Sequence, residues 1–227
     1  MAISHSVMGT GRSSTSTATT SSATSTAGAT FAVCCAWDAS TTPGGLAITD
    51  NKSNTWSTLG SPQADGNGGY IQWYYSFTGL GGSGHTFTCT ALATAFPTIS
   101  AHQILQAGTS LGSGAAQGQD SGGQPFVLTS GTLPSGNWLL LAGCINVTGS
   151  NGDYSANSST PTMTLVTTES DISNYWTHGT GVMQSSGSTA VTPSFGRSGT
   201  AGGTSGLALI VFAESAAGDI LLGQILL

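Results

Sequence analysis

Tyr70 to Phe77 reads YIQWYYSF, Thr78 to Gly84 reads TGLGGSG, and His85 to Ala91 reads HTFTCTA. The first run is aromatic and apolar, which suits a pleated, packed surface. The glycine-rich stretch interrupts it. In the second run Phe87 and Cys89 alternate with Thr86, Thr88 and Thr90, the period-two pattern of a strand with one wet face. Strand, loop and strand follow in 22 residues with no room for a helix.

The same grammar extends both ways. Upstream, Thr30 to Trp37 (TFAVCCAW) is apolar throughout and reads as a central strand buried on both faces. Asn51 to Asn54 reads as a turn before a short strand at Thr55 to Leu59, and Asp65 to Gly69 (DGNGG) as a second turn. Downstream, strands are expected at Ile99–Gln106, Phe126–Thr129, Asn137–Val147, Met163–Thr167, Trp176–Gln184 and Leu207–Ala213, with a long loop from Ala107 to Gln124. The sum is about ten strands. Short strands at close spacing with turn residues between them predict an all-β, antiparallel, jelly-roll-like sandwich over residues 30–214.

Two segments flank it. Residues 13–26 are Ser or Thr at 12 of 14 positions, so residues 1–29 read as an N-terminal arm or an edge strand. Residues 215–227 end in ILLGQILL, six Leu or Ile in eight. An apolar run of this kind needs a cover. Ile220, Leu221, Leu222, Ile225, Leu226 and Leu227 are therefore the candidate docking residues, on a last core element or on a neighbouring subunit.

Composition narrows the function. Charged residues are 5% of the 227, where about 25% is usual. Gly, Ser and Thr, all poor in helix interiors, fill the difference. Three basic residues and a net charge of -6 cannot neutralise a phosphate backbone, so no nucleic-acid partner is expected. No run approaches 18 apolar residues, so no membrane span is expected. Met1 to Thr10 lacks a basic region followed by an apolar one, so no secretory signal is expected there. Cys34, Cys35, Cys89 and Cys144 lie in apolar or alternating runs and read as buried free thiols.

Catalytic patterns are thin. Gly108 to Gly112 fits G-x-S-x-G, but no helix follows to make a nucleophile elbow. Gly79 to Gly84 fits G-x-G-x-x-G, but a strand pattern follows instead of the helix a dinucleotide site requires. The histidines His5, His85, His102 and His178 lack zinc spacing, and neither Asp65 nor Asp153 has the company a calcium loop needs. Asp38 and Asp50 flank one loop and are the candidate carboxylate pair. No catalytic residue, metal or cofactor is assigned. Exposed aromatics beside Asn and Gln would suit sugar rings, which makes Trp73, Tyr74 and Trp176 candidate glycan contacts. The competing reading buries both faces of the Tyr70–Phe77 strand.

The succession AITDNKSNTW (47–56), YIQWYYSFTG (70–79), GSGHTFTCTA (82–91), NWLLLAGC (137–144) and GLALIVFAE (206–214) resembles a β-sandwich module of tailed-bacteriophage virion proteins. The likeness spans about Thr30 to Glu214 and rests on turns and core positions. It implies a non-enzymatic virion role: capsid decoration, an appendage, or part of a host-adsorption device such as a tail fibre. It implies assembly in the host cytoplasm, major capsid or other virion proteins as partners, and a homo-oligomer, a trimer in the favoured case. Low charge agrees with a subunit that spends its life packed against others. The alternative is a carbohydrate-binding adhesin or receptor-binding module that meets a host surface glycan.

Overall fold

The computed structural model describes residues 2–38, 46–91, 95–122, 124–146, 154–157, 159–171, 176–198 and 203–216, with the side chains of 169–171, 176 and 177 excepted. Twenty strands and no helix occur among them. In the first half these are β1 (Ser4–Arg12), β2 (Thr17–Thr19), β3 (Ala23–Ser25), β4 (Thr30–Asp38), β5 (Ala47–Asp50), β6 (Ser57–Thr58), β7 (Gln63–Ala64), β8 (Gly69–Ser76), β9 (Gly82–His85), β10 (Phe87–Thr90) and β11 (Thr98–Leu105). In the second half they are β12 (Ala107–Leu111), β13 (Ala116–Asp120), β14 (Phe126–Val127), β15 (Asn137–Asn146), β16 (Tyr154–Ala156), β17 (Thr164–Asp171), β18 (Trp176–Ser186), β19 (Ser194–Arg197) and β20 (Ser205–Glu214).

The two halves share one topology. The first forms a large sheet in the order β1-β11-β4-β8-β6, with β7 also on β8, and a small sheet β2-β10-β5. The second forms β12-β20-β15-β18-β17, with β13 also on β20, and a small sheet β14-β19-β16. Set aside β3, β7 and β9, and take β12 with β13 as one position. Each half is then an eight-strand path with a large sheet 1-8-3-6-5 and a small sheet 2-7-4. The chain alternates between two antiparallel sheets in the manner of a jelly roll, with strand 5 carried on the edge of the large sheet.

The units pack by their large sheets under an approximate two-fold relation. β8 lies on β15 as β18 lies on β4, and β1 runs beside β17 as β13 runs beside β7. The result is four β layers, and sheets stack about 10 Å apart. The inner two layers are therefore covered on both faces, which is why β4, β15 and β20 are almost continuously apolar where antiparallel strands usually alternate.

Three cores follow. One lies inside the first unit, with Phe31, Val33, Trp37, Tyr74, Phe87 and Ile99. One lies inside the second, with Phe126, Trp138, Leu140, Tyr154, Phe195 and Leu209. The third is the seam between the large sheets, where Ile71, Trp73 and Ile104 meet Leu141, Ile210 and Phe212. The sheets approach closely at Gly143, where a Cβ would sit 2.8 Å from both Cys34 Sγ and Ile71 Cδ1.

The all-β antiparallel sandwich matches the expectation from sequence, with two corrections, to the number of units and to the loop from Ala107 to Gln124. The body holds two jelly-roll units and not one ten-strand sandwich. Of the two readings of residues 1–29, arm or edge strand, the pairings follow the second: β1 lies at a sheet edge on β11, and β2 lies at a sheet edge on β10. The expected loop from Ala107 to Gln124 contains β12 and β13, which both pair with β20. No helix among the described residues is long and apolar enough to cross a membrane.

Candidate functional site

Two polar constellations stand out inside this frame. The first grows from the turn DNKSNTW. Asp50 Oδ1 accepts from the backbone N–H of Lys52 (2.7 Å) and from Asn54 Nδ2 (3.2 Å), and Oδ2 accepts from Trp56 Nε1 (2.9 Å). Two asparagines then fasten the facing loop. Asn51 donates to Gly84 O and accepts from Thr86 N, and Asn54 donates to Leu80 O and accepts from Leu80 N.

His85 closes the group. Its Nε2 lies 3.4 Å from Asp50 Oδ1, with both side chains fully buried. Its Nδ1 lies 2.7 Å from Ser25 Oγ. Phe87 stacks on the ring at 4.2 Å and Phe31 meets it edge-on at 5.0 Å. Burial lowers the His85 pKa more than Asp50 raises it, so the ring is neutral at pH 7.

Serine, histidine and aspartate in line are the parts of an activated nucleophile. The chemistry also needs access and oxyanion donors. Ser25 is 6% exposed, and the nearest donor, Gly82 N, is spent on Ser25 Oγ itself at 3.1 Å. The geometry therefore makes a clasp. It ties β3, the end of β5 and β9 across 60 residues of chain.

The second constellation lies in the seam. His5 Nε2 faces His102 Nδ1 at 2.9 Å. His102 Nε2 lies 2.9 Å from Ser100 Oγ, which reaches Thr167 Oγ1 at 3.0 Å and Thr180 Oγ1 at 3.4 Å. His178 places Nδ1 3.2 Å from Thr98 Oγ1 and Nε2 3.3 Å from Cys34 Sγ. These bonds join β1 and β11 of the first unit to β17 and β18 of the second. Burial holds His5 down to about 4 and His178 to about 3. Burial, with His5 and His178 nearby, puts His102 well below its ordinary value.

The sequence-derived candidates fall as follows. Trp73 is fully buried in the seam and donates its indole N–H to Ala208 O at 2.9 Å. Tyr74 is buried on the opposite face, with its hydroxyl on Leu46 O at 3.0 Å. Neither side chain can meet a glycan, because each face of β8 is covered by another sheet. The side chain of Trp176 and the docking residues Ile220, Leu221, Leu222, Ile225, Leu226 and Leu227 lie outside what is described. Asp38 and Asp50 are not a pair: Asp38 is raised by burial and by neighbouring Asp65, and Asp50 belongs to the clasp. Gly108 to Leu111 lie within strand β12, so no nucleophile elbow forms. All four thiols are free and buried.

Among the described residues, only Val7, Leu80 and Val127 are large hydrophobics left exposed. A groove of about 550 Å³ opens where the two ends of the described chain meet, lined by Ala2, Gln106, Pro134, Asn137, Glu214 and Ala216. Glu214 holds that corner, accepting from Ile3 N at 3.0 Å and Asn137 Nδ2 at 2.6 Å. No protein-family model, curated protein or solved structure matches this chain.

Proposed function

We propose that this chain is a structural virion protein, displayed on a phage particle as a capsid decoration or appendage subunit and held by packing between subunits. One observation carries the reading. The described body closes over three cores and leaves few large hydrophobics outside, while the residues that follow the Ala216 groove include six Leu or Ile in eight. An apolar run of this kind needs a cover, and in this reading a neighbouring subunit supplies it. The jelly-roll path is one used by viral capsid domains, which supports the reading by analogy of fold alone. The resemblance of the DNKSNTW and GSGHT segments to virion modules supports the same reading; in this chain Asp50, Asn54 and Trp56 bond to one another or to the facing loop, with His85 3.4 Å from Asp50.

Deletion of residues 216–227 tests it. The truncated chain is expected to fold, since its three cores are intact, and to lose self-association in sedimentation and attachment to particles. An unchanged oligomer would remove the tail from the mechanism.

A further inference from the structure

The histidine constellation sits where the two jelly-roll units join, and each unit keeps a core of its own on the far side of its large sheet. The joint is thus separable in principle from the bodies it joins. It is also the one place where three histidines from three strands, β1, β11 and β18, are gathered among the described residues.

We propose that this patch is an acid-sensitive latch: with the three rings neutral the two units stay closed on one another, and protonation loosens the β1–β17 and β11–β18 side of the seam while each unit keeps its own core.

The bonding explains the sensitivity. Hydroxyls of Thr98, Ser100, Thr167 and Thr180 satisfy a neutral imidazole in either tautomer, since each can donate or accept. His5 and His102 turn ring nitrogens on each other, so protonation of both rings sets N–H against N–H. His178 faces the Cys34 thiol, a weak acceptor. Among the described residues the other titratable groups around the patch are few. Tyr75 lies further along the seam face of β8. Glu169 of β17 holds the register position opposite His178. Glu214 of β20 has its oxygens on Ile3 N and Asn137. The fourth histidine, His85, is elsewhere, beside Asp50 in the clasp.

The sign follows from linkage. An opened or unfolded histidine titrates near 6.5, and the closed seam holds these rings well below that. Opening therefore takes up protons, so the closed state is fully favoured above about pH 6.5 and loses ground as pH falls towards the folded values.

The test is a titration of the full chain from neutral pH to about pH 3.5, with far-ultraviolet circular dichroism, tryptophan fluorescence and binding of an apolar dye read together. The expected result is a reversible rise in dye binding and a shift in emission as Trp73 loses its cover, while the β signal is kept. Loss of all signals at one midpoint, or no change across the range, would overturn the latch. Two variants assign the sensor. His5→Gln, at the half-exposed end of the patch, is expected to fold and to move the transition to lower pH; an unmoved midpoint counts against the proposal. Glu169→Gln is expected to leave the transition in place; its abolition would make the carboxylate the sensor and refute the imidazoles.

Discussion

Trp73 donates its indole N–H to the Ala208 carbonyl at 2.9 Å, from the large sheet of one unit to the large sheet of the other. Both groups are fully buried. This bond pins the register of the two repeated halves at the centre of the molecule. Trp73→Phe keeps most of the packing and removes the donor, and a lost buried partner costs about 1–3 kcal/mol. Trp73→Ala adds a cavity, and large-to-small core changes of this kind cost about 3–5 kcal/mol. Urea unfolding is expected to rank them wild type, Phe, Ala. Equal stability of Phe and Ala would show that the seam does not pack as described.

Gly143 tests how closely the sheets approach. Any Cβ there meets Cys34 and Ile71 at 2.8 Å. Gly143→Val should destabilise by overpacking, typically about 1–3 kcal/mol. Gly136, with open space where its Cβ would lie, is the control. Gly136→Ala should stay within about 0.5 kcal/mol of the parent.

The clasp makes a stability prediction. Asp50→Ala takes the acceptor from Lys52 N and Trp56 Nε1 and leaves the Asn54 side-chain amide with Leu80 O alone. Buried donors without partners are costly, about 1–3 kcal/mol each where water cannot replace the acceptor. Thermal unfolding should show a marked fall in Tm, and proteolysis should find the Leu80 loop, whose tie through Asn54 loses the carboxylate that positions it. Ser25→Ala should be milder, because it removes one hydroxyl, with its contacts to His85 and Gly82, and leaves the Asp50 carboxylate and its donors in place. If Ser25→Ala instead abolished a hydrolytic activity of the pure protein, the clasp would have to be reread as a catalytic site.

Thiol chemistry gives a fourth check. Burial pushes the Cys34 and Cys35 thiols up, and carries Cys144 to about 12. The thiolate is the reactive form. An alkylating reagent at about pH 8, near the ordinary thiol pKa, should leave the native chain unmodified and label all four cysteines only in denaturant. Rapid labelling of one native thiol would contradict the burial assigned to it.

The legible part of this fold was the part written in apolar runs. β4, β8, β15 and β20 show in sequence because both their faces are covered and every position is selected for burial. β12 and β13 did not, because edge strands give β20 their backbone bonds and leave their Gly, Ala, Ser and Gln side chains half out in water. The duplication is hidden for a related reason. TFAVCCAWD and NWLLLAGCIN fill the same place in the two units, and that place demands apolarity and register, not particular residues. The Tyr70–Phe77 strand was open to two readings, and four layers in place of two decided for burial of both faces.

The polar sites were legible only in part. Asn54 stands in a recognisable turn, with Asp50 and Trp56 on its two flanks and His85 at the end of a glycine-rich loop. Ser25 lies inside a run of Ser and Thr where no single hydroxyl stands out. His5, His102 and His178 come together only through contacts that span 97 and 78 residues of chain, and spacing along a sequence carries no trace of that.

The most direct test of a structural virion role is the copy number of this chain in purified phage particles, by quantitative mass spectrometry with the major capsid protein as reference. A decoration or appendage subunit predicts that the chain co-purifies with particles at a fixed ratio, in hundreds of copies for a decoration protein and in tens or fewer for an appendage. Absence of the chain from intact particles, with all of it left in the soluble fraction of the lysate, would contradict the role.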